Sequence, residues 1–184
     1  RNLTADNPAD DFGPRYTSDG RYILYGRQKI IGFYGDKVRL VRYDRRTDGK
    51  KVLTAGLDRS PSDWVYDAGS RTVCFTVEDR AMRSIFTVGI DGERVSEIFR
   101  GGTNSSARFL PGGGFIFLHQ DNSLPNTLCT VDGRGEDFRK LTSLNDELLA
   151  GIEMGAFEDG WLTGADQEGG TSRLRQPRSP GLAA

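Results

Sequence analysis

Three times along the chain one short pattern returns: an aromatic residue, a turn made of Ser, Asp, Pro or Gly, and then an apolar run. The copies are Tyr16-Thr17-Ser18-Asp19-Gly20-Arg21-Tyr22-Ile23-Leu24-Tyr25, Tyr66-Asp67-Ala68-Gly69-Ser70-Arg71-Thr72-Val73-Cys74-Phe75 and Phe109-Leu110-Pro111-Gly112-Gly113-Gly114-Phe115-Ile116-Phe117-Leu118. Their leading aromatics stand 50 and then 43 residues apart. A period of that size restricts a chain to an array of small units, because one such unit cannot bury its own apolar surface and must stack on the next.

Each copy reads as a hairpin whose second strand is buried. A second hairpin follows in every unit: Leu40-Val41-Arg42-Tyr43-Asp44 before Asp48-Gly49, Ile85-Phe86-Thr87-Val88 before Asp91-Gly92, and Leu128-Cys129-Thr130-Val131 before Asp132-Gly133. Asp-Gly favours tight turns because Gly takes positive φ without steric cost. Closing strands come next at Lys51 to Thr54, Val95 to Phe99 and Arg139 to Thr142, and Leu3-Thr4 has the look of the same strand in a preceding unit. The chain opens at Arg1 directly into that segment, so its N-terminus is expected to be a cut.

Four strands in about 40–50 residues is the signature of propeller blades, since helical arrays would show a 3.6-residue apolar period. Runs such as Val73-Cys74-Phe75 and Phe115-Ile116-Phe117-Leu118 are apolar on both faces, as strands sandwiched between neighbouring sheets must be. The expected fold is therefore all-β, a partial β-propeller of about three four-stranded blades plus fragments. Three blades and a fraction fall short of the roughly 4–8 needed to close a ring, which leaves open end faces and a tendency to self-associate. The expected divisions are blades over 1–151, a connection over 152–166 and a divergent, disordered tail over 167–184. That tail carries arginines and no acid from Gly169 onward and no apolar strand.

Charge and composition remove several classes of partner. Lys and Arg number 25 against 26 Asp and Glu, for a net charge of −1, so there is no global field to attract nucleic acid or an anionic membrane. The chain has neither a run approaching the ~18 apolar residues of a membrane span nor an opening signal segment. It reads as soluble, with a cytoplasmic place favoured over a periplasmic or secreted one. Cys74 and Cys129 lie in separate apolar runs without CxxC spacing and read as buried thiols, with a disulfide left open.

Ser18-Asp19-Gly20-Arg21-Tyr22-Ile23 resembles the Ser-Pro-Asp-Gly-Lys-x-Ile repeat of TolB-type, WD40-like propellers, and the second and third copies keep parts of it. The stretch Leu141-Thr142-Ser143-Leu144-Asn145-Asp146-Glu147-Leu148-Leu149, continuing through Gly155-Ala156-Phe157-Glu158 and Trp161-Leu162-Thr163-Gly164-Ala165-Asp166, is similar to the exit from the last blade in prolyl-oligopeptidase-type (S9) serine peptidases. The nearest subgroup is the dipeptidyl aminopeptidase/acylaminoacyl-peptidase group. The resemblance covers roughly Arg1 to Asp166. It implies a parent peptidase in which the propeller gates an α/β-hydrolase domain, with that domain and a peptide substrate as partners. The mechanism it implies is attack by a Ser-Asp-His triad, none of whose members falls on a position of this chain.

The residues themselves supply no competing chemistry. Gly170-Thr171-Ser172-Arg173-Leu174 fails the Gly-x-Ser-x-Gly elbow at its last position. His119, the single histidine, has no elbow serine to serve and reads as structural. Asp10-Asp11 and Asp146-Glu147 fall in polar segments where solvated carboxylates are ordinary. Gly101-Gly102 and Gly112-Gly113-Gly114 lack the Lys-Ser/Thr and the helix of a phosphate cradle. Arg39, Arg42, Arg45 and Arg46 with Tyr43 form a basic cluster partly cancelled by Asp44 and Asp48. Asn2-Leu3-Thr4 and Asn104-Ser105-Ser106 match the glycosylation acceptor, a pattern common by chance.

The expectation is thus a non-catalytic propeller piece of a short-peptide-cleaving serine peptidase, with no catalytic, cofactor-binding or metal-ligating residue and no cofactor. The competing reading is a TolB-like interaction propeller without a peptidase parent. A third, weaker one makes the Arg-rich tail a nucleic-acid-binding arm.

Overall fold

The computed structural model describes residues 1–92, 94–152, 157–163 and 171–177, the last two segments as backbone alone. Its first twelve strands fall into three units. The first is β1 (Asp11–Tyr16), β2 (Tyr22–Arg27), β3 (Arg39–Asp44) and β4 (Lys50–Val52), each antiparallel to the next. The second is β5 (Pro61–Asp67), β6 (Thr72–Asp79), β7 (Met82–Gly89) and β8 (Ser96–Phe99); the third is β9 (Thr103–Phe109), β10 (Phe115–Gln120), β11 (Thr127–Val131) and β12 (Arg139–Lys140). A single parallel bridge, Arg83 to Thr103, links the second sheet to the third.

The repeated turns account for the hairpins. In the first unit the Thr17 hydroxyl donates to Asp19 Oδ1 at 2.6 Å and accepts from the Tyr22 amide at 2.9 Å, while Gly20 N donates to Thr17 O at 2.8 Å. In the second, the Asp67 carboxylate accepts both the amide and the hydroxyl of Ser70. In the third, Leu110 N donates to Gly114 O at 3.0 Å across a three-glycine turn. Thr17, Asp67 and a run of glycines thus close the same hairpin in three different ways.

The first strand of every unit also bulges at the same place. The register slips between Phe12 and Arg15, between Ser62 and Val65, and between Ser105 and Arg108. Gly13, Asp63 and Ser106 sit in these bulges with φ of 60°, 52° and 55°. They are spaced by the same 50 and 43 residues as the turns. A bulge of this kind needs a residue tolerant of the left-handed region, which glycine takes freely and short polar residues take more readily than most.

Closure repeats between the first and third units. Leu40 N donates to Thr54 Oγ1 at 3.0 Å and Leu128 N to Thr142 Oγ1 at 3.1 Å, while the Leu53 and Leu141 amides return the bond to Leu40 and Leu128. After Leu53-Thr54 the chain turns through Leu57 N to Thr54 O at 3.1 Å; after Leu3-Thr4 it turns through Asn7 N to Thr4 O at 2.9 Å. Leu3-Thr4 is not a strand, but it makes the turn that ends a unit.

Burial separates the middle unit from the outer two. Val73, Phe75 and Val77 of β6 pack toward the first unit against Tyr22, Leu24, Leu40, Leu53 and Trp64. Cys74 points the other way, toward Phe115, Phe117, Cys129 and Val131 of the third. Consequently Val73 to Val77 are buried without interruption, as expected of a strand with a sheet on each side. The β10 strand instead alternates, Phe115 and Phe117 buried and Ile116 and Leu118 half-buried, because its outer face has no sheet against it among the described residues. On the outer face of the first unit, Leu3 packs on a small cluster of Tyr25, Val41 and Tyr43.

After β12 a short helix, α1 (Asp146–Leu149), leads toward a hairpin of β13 (Phe157–Thr163) and β14 (Thr171–Pro177). Composition places no strand in 167–184, yet Thr171–Pro177 pairs with β13. Backbone hydrogen bonding requires no apolar side chains, so composition alone did not reveal that strand. Residues 153–156, 164–170 and 178–184, including Gly155-Ala156, Gly164-Ala165-Asp166 and parts of the expected connection and tail, lie outside the described residues.

Candidate functional site

The units share a polarity, and their two ends differ in chemistry. At one end lie the turns 17–21, 45–49, 67–71, 90–92, 110–114 and 132–138. This end is polar and cross-linked by charge. Arg42 Nη1 reaches Asp91 Oδ1 at 2.8 Å and Ile90 O at 3.1 Å, Arg71 reaches Asp91 Oδ2 at 2.6 Å, and Arg21 reaches Asp44 at 3.0 Å. Arg21 and Arg42 flank the Tyr22 ring at 4.7 and 5.0 Å from its centroid. Arg71 holds the Asp91 carboxyl below the usual carboxylate range, and at Asp44 the Arg46 amide, joined by Arg21, does the same.

At the other end the β4 and β12 strands finish, and the loop 28–38, the connection 53–60, the β6–β7 hairpin tip, the turn 100–102, the loop 121–126 and the segment 141–152 gather. Here Asp79, largely buried, draws three guanidiniums: Arg59 Nε at 3.0 Å, Arg100 at 3.5 Å and Arg80 at 3.7 Å. Arg59, Glu78, Asp79, Arg80, Met82 and Arg83 line a cleft of about 410 Å³ beside Thr103. Gly102, at φ +54°, turns the chain from β8 into β9, and a Cβ there would lie 2.3 Å from Gln120 O.

His119 sits under this end, buried. Its Nδ1 is 2.8 Å from Asn104 Oδ1, and the Asn104 amide donates to Arg83 O at 2.7 Å and Gly101 O at 2.8 Å. Phe99, Phe117 and Phe138 stand edge-on to the imidazole at 6.0, 6.4 and 5.3 Å, and Asp121 lies 3.5 Å from Nε2. This is a clamp between β9 and β10, and among the described residues the ring nitrogens meet Asn104 and Asp121 rather than a nucleophile. The same bonds leave Asn104 fully buried, with no room for a glycan on its side chain in the folded chain.

The remaining candidates disperse. Asp11 accepts from Arg27 at 3.0 Å, and Asp146 pairs with Lys140. Of the arginine cluster, Arg39 turns to Asp36 and Lys37 O, Arg42 enters the contact between units, and Arg45 donates to Gly20 O and covers Tyr16, so the strand geometry divides them. Cys74 and Cys129 are free thiols in one apolar layer between the second and third units. Burial pushes the Cys74 thiol up to about 12 and raises Cys129 as well. Among the described residues, groups of three or more His, Cys, Asp or Glu arranged to hold a metal ion are absent. No described helix is long and apolar enough to cross a membrane.

Solved structures share this arrangement. Pyrococcus horikoshii acylaminoacyl peptidase superposes with a TM-score of 0.67 at 20% identity, over 85% of this chain and 23% of that one. Porphyromonas gingivalis dipeptidyl peptidase 4 gives 0.61 at 18% identity, over 88% and 22%. TolB from Acinetobacter baumannii gives 0.59 at 18%, over 78% and 35%.

The chain is a partial β-propeller.

No protein-family model matches it, and none of the curated proteins does. The partial propeller spans less than a quarter of either peptidase and about a third of TolB. The sequence reading missed the groups gathered at the strand-exit end. Arg59, Asp79 and Arg100 are separated by some twenty residues each, and only the stacking of hairpin tips brings them together. The run Ile30-Ile31-Gly32-Phe33-Tyr34-Gly35 did carry a signal: it is apolar, yet broken by glycines and falls between the two hairpins of the first unit.

Proposed function

We propose that this partial propeller belongs to a prolyl-oligopeptidase-type serine peptidase, in which it restricts access to the active site of a hydrolase domain and admits short peptides, without contributing a catalytic group. The observation that carries this reading is the likeness to two peptidases, with TM-scores of 0.67 and 0.61 over 85% and 88% of the chain. The burial of the single histidine supports it, since His119 Nε2, the nitrogen a triad would turn to its serine, faces the Asp121 carboxylate at 3.5 Å instead. Its partners in the reading are the hydrolase domain and the peptide passing between the two.

The test has two parts. The purified chain is assayed on chromogenic acylaminoacyl and dipeptidyl substrates, where turnover at the rate of buffer alone is expected and turnover above it would overturn the non-catalytic assignment. The coding sequence downstream of codon 166 is then translated in all frames. A strand followed by Gly-x-Ser-x-Gly supports the peptidase parent; a stop, together with stoichiometric binding of a protein partner, would favour an interaction propeller of the TolB kind.

A further inference from the structure

Loop 28–38, between β2 and β3, displays large apolar side chains that the rest of the propeller does not cover. Ile30, Ile31, Phe33 and Tyr34 are 54%, 68%, 54% and 98% exposed. Other exposed aromatics have neighbours: Phe138 stacks on Phe99 at 5.4 Å, Tyr16 lies under Arg45, and Phe12 lies against Gly26.

The loop is braced rather than slack. Asp36, buried beneath it, accepts the Lys29 and Ile30 amides with one carboxylate oxygen, and Gln28 Nε2 donates to Tyr34 O at 3.1 Å and Asp36 O at 2.8 Å. Phe33 N and Asp36 N close two turns within it. At the base of the loop, Lys37 Nζ donates to Leu57 O at 2.9 Å and Val38 N to Ser60 Oγ at 3.0 Å, tying it to the connection into the second unit. An apolar tip held in one conformation loses little entropy on docking, which is the property of an anchor.

Position identifies the occupant. The tip projects from the end at which the chain leaves the last blade, and the departing segment carries Leu144, Leu148 and Ile152, all exposed. The opposite end presents Asp19, Ser70, Arg71 and Arg134 in its turns, with Tyr16 and Phe138 as its exposed aromatics, against the seven exposed large apolar side chains named in loop 28–38 and the departing segment. Apolar surface is therefore concentrated on the side toward which the polypeptide continues past β12. We propose that loop 28–38 anchors the catalytic domain of the peptidase reading, with Ile31, Phe33 and Tyr34 seated in an apolar recess of that domain. The inference rests on that reading and adds to it the surface by which the two parts meet.

The test uses the parent polypeptide with a photo-crosslinking phenylalanine analogue at position 34 or, as the opposite-end control, at position 70. Irradiation followed by peptide mapping is expected to join position 34 to the catalytic domain of the same molecule and to leave position 70 unjoined to it. In a parent that does carry a hydrolase domain, a cross-link from position 34 to a second copy, or none, overturns the anchor and leaves the peptidase reading standing. A parent without such a domain removes the reading and the anchor together. The double variant Ile31→Asp, Tyr34→Asp gives an independent readout. It is expected to speed limited proteolysis between propeller and catalytic domain by about tenfold or more, while the melting temperature of the 184-residue chain moves by no more than about 2 °C because both side chains are exposed. Equal proteolysis rates in parent and variant would overturn the proposal.

Discussion

The Ser106 amide donates to Asp63 Oδ2 at 2.8 Å, joining the bulge in the first strand of one blade to the bulge in the next. Both residues stand at left-handed φ, 52° for Asp63 and 55° for Ser106. Two costs are therefore combined at Asp63, a backbone preference and an acceptor for a neighbouring amide. They can be separated by substitution.

Asp63→Ala is expected to lose about 1–3 kcal/mol, since alanine resists the left-handed region and supplies no acceptor. Asp63→Gly loses only the acceptor and should recover about 1 kcal/mol of that, as the glycine at the equivalent Gly13 suggests. Urea denaturation of the two variants measures the difference. Equal midpoints would show that φ is not the cost.

Phe75 and Leu118 occupy buried and open sides of the blade stack. Phe75 is fully buried between the first and second units, so Phe75→Ala should cost about 3–5 kcal/mol. Leu118 is half-buried on the outer face of the third unit, and Leu118→Ala should cost under about 1.5 kcal/mol. The contrast is read from unfolding midpoints. Comparable losses would mean that the outer face is covered in solution, by a second copy of the chain, which sedimentation at two concentrations would reveal.

Cys74 should be inert in the folded chain. With its thiol pushed up to about 12 by burial, its thiolate at pH 8 is scarcer than that of an exposed cysteine by a factor on the order of a thousand. Ellman's reagent is expected to label it slowly in buffer and rapidly in denaturant. Rapid labelling in buffer would show that the layer between the second and third units opens.

Acid should weaken the contacts that Asp44 makes at the polar end. The Arg46 amide and Arg21 hold the Asp44 carboxyl below its usual range, so the group binds a proton more readily unfolded than folded. Its stabilisation is fully present above the unfolded value of about 4 and disappears as pH falls through the lower folded value. Melting temperatures of Asp44→Asn should accordingly fall less between pH 5 and pH 3 than those of the parent chain. Parallel curves would mean that Asp44 contributes nothing to the acid transition.

The repeat made the blades legible because turn chemistry and strand burial are local. Ser18-Asp19-Gly20, Asp67 to Ser70 and the glycines at 112–114 each mark a turn that the backbone makes, and the apolar runs behind them are the inner strands. The bulges were not legible: glycine, aspartate and serine share no side-chain pattern, only a tolerance of positive φ. The β14 strand was likewise hidden, since Thr171–Pro177 pairs through its backbone.

The sequence by itself determined the number of units, their four-stranded make-up, the burial of both cysteines and the lack of an elbow serine, because each follows from residue order within about 50 positions. Tertiary structure alone decided that Arg59, Arg80 and Arg100 converge on Asp79, that His119 is clamped by Asn104, and that apolar side chains collect at the end where the chain leaves its last blade. Those relationships depend on how hairpin tips from successive units are brought side by side. The stacking of one sheet on another sets that register, and no local pattern records it.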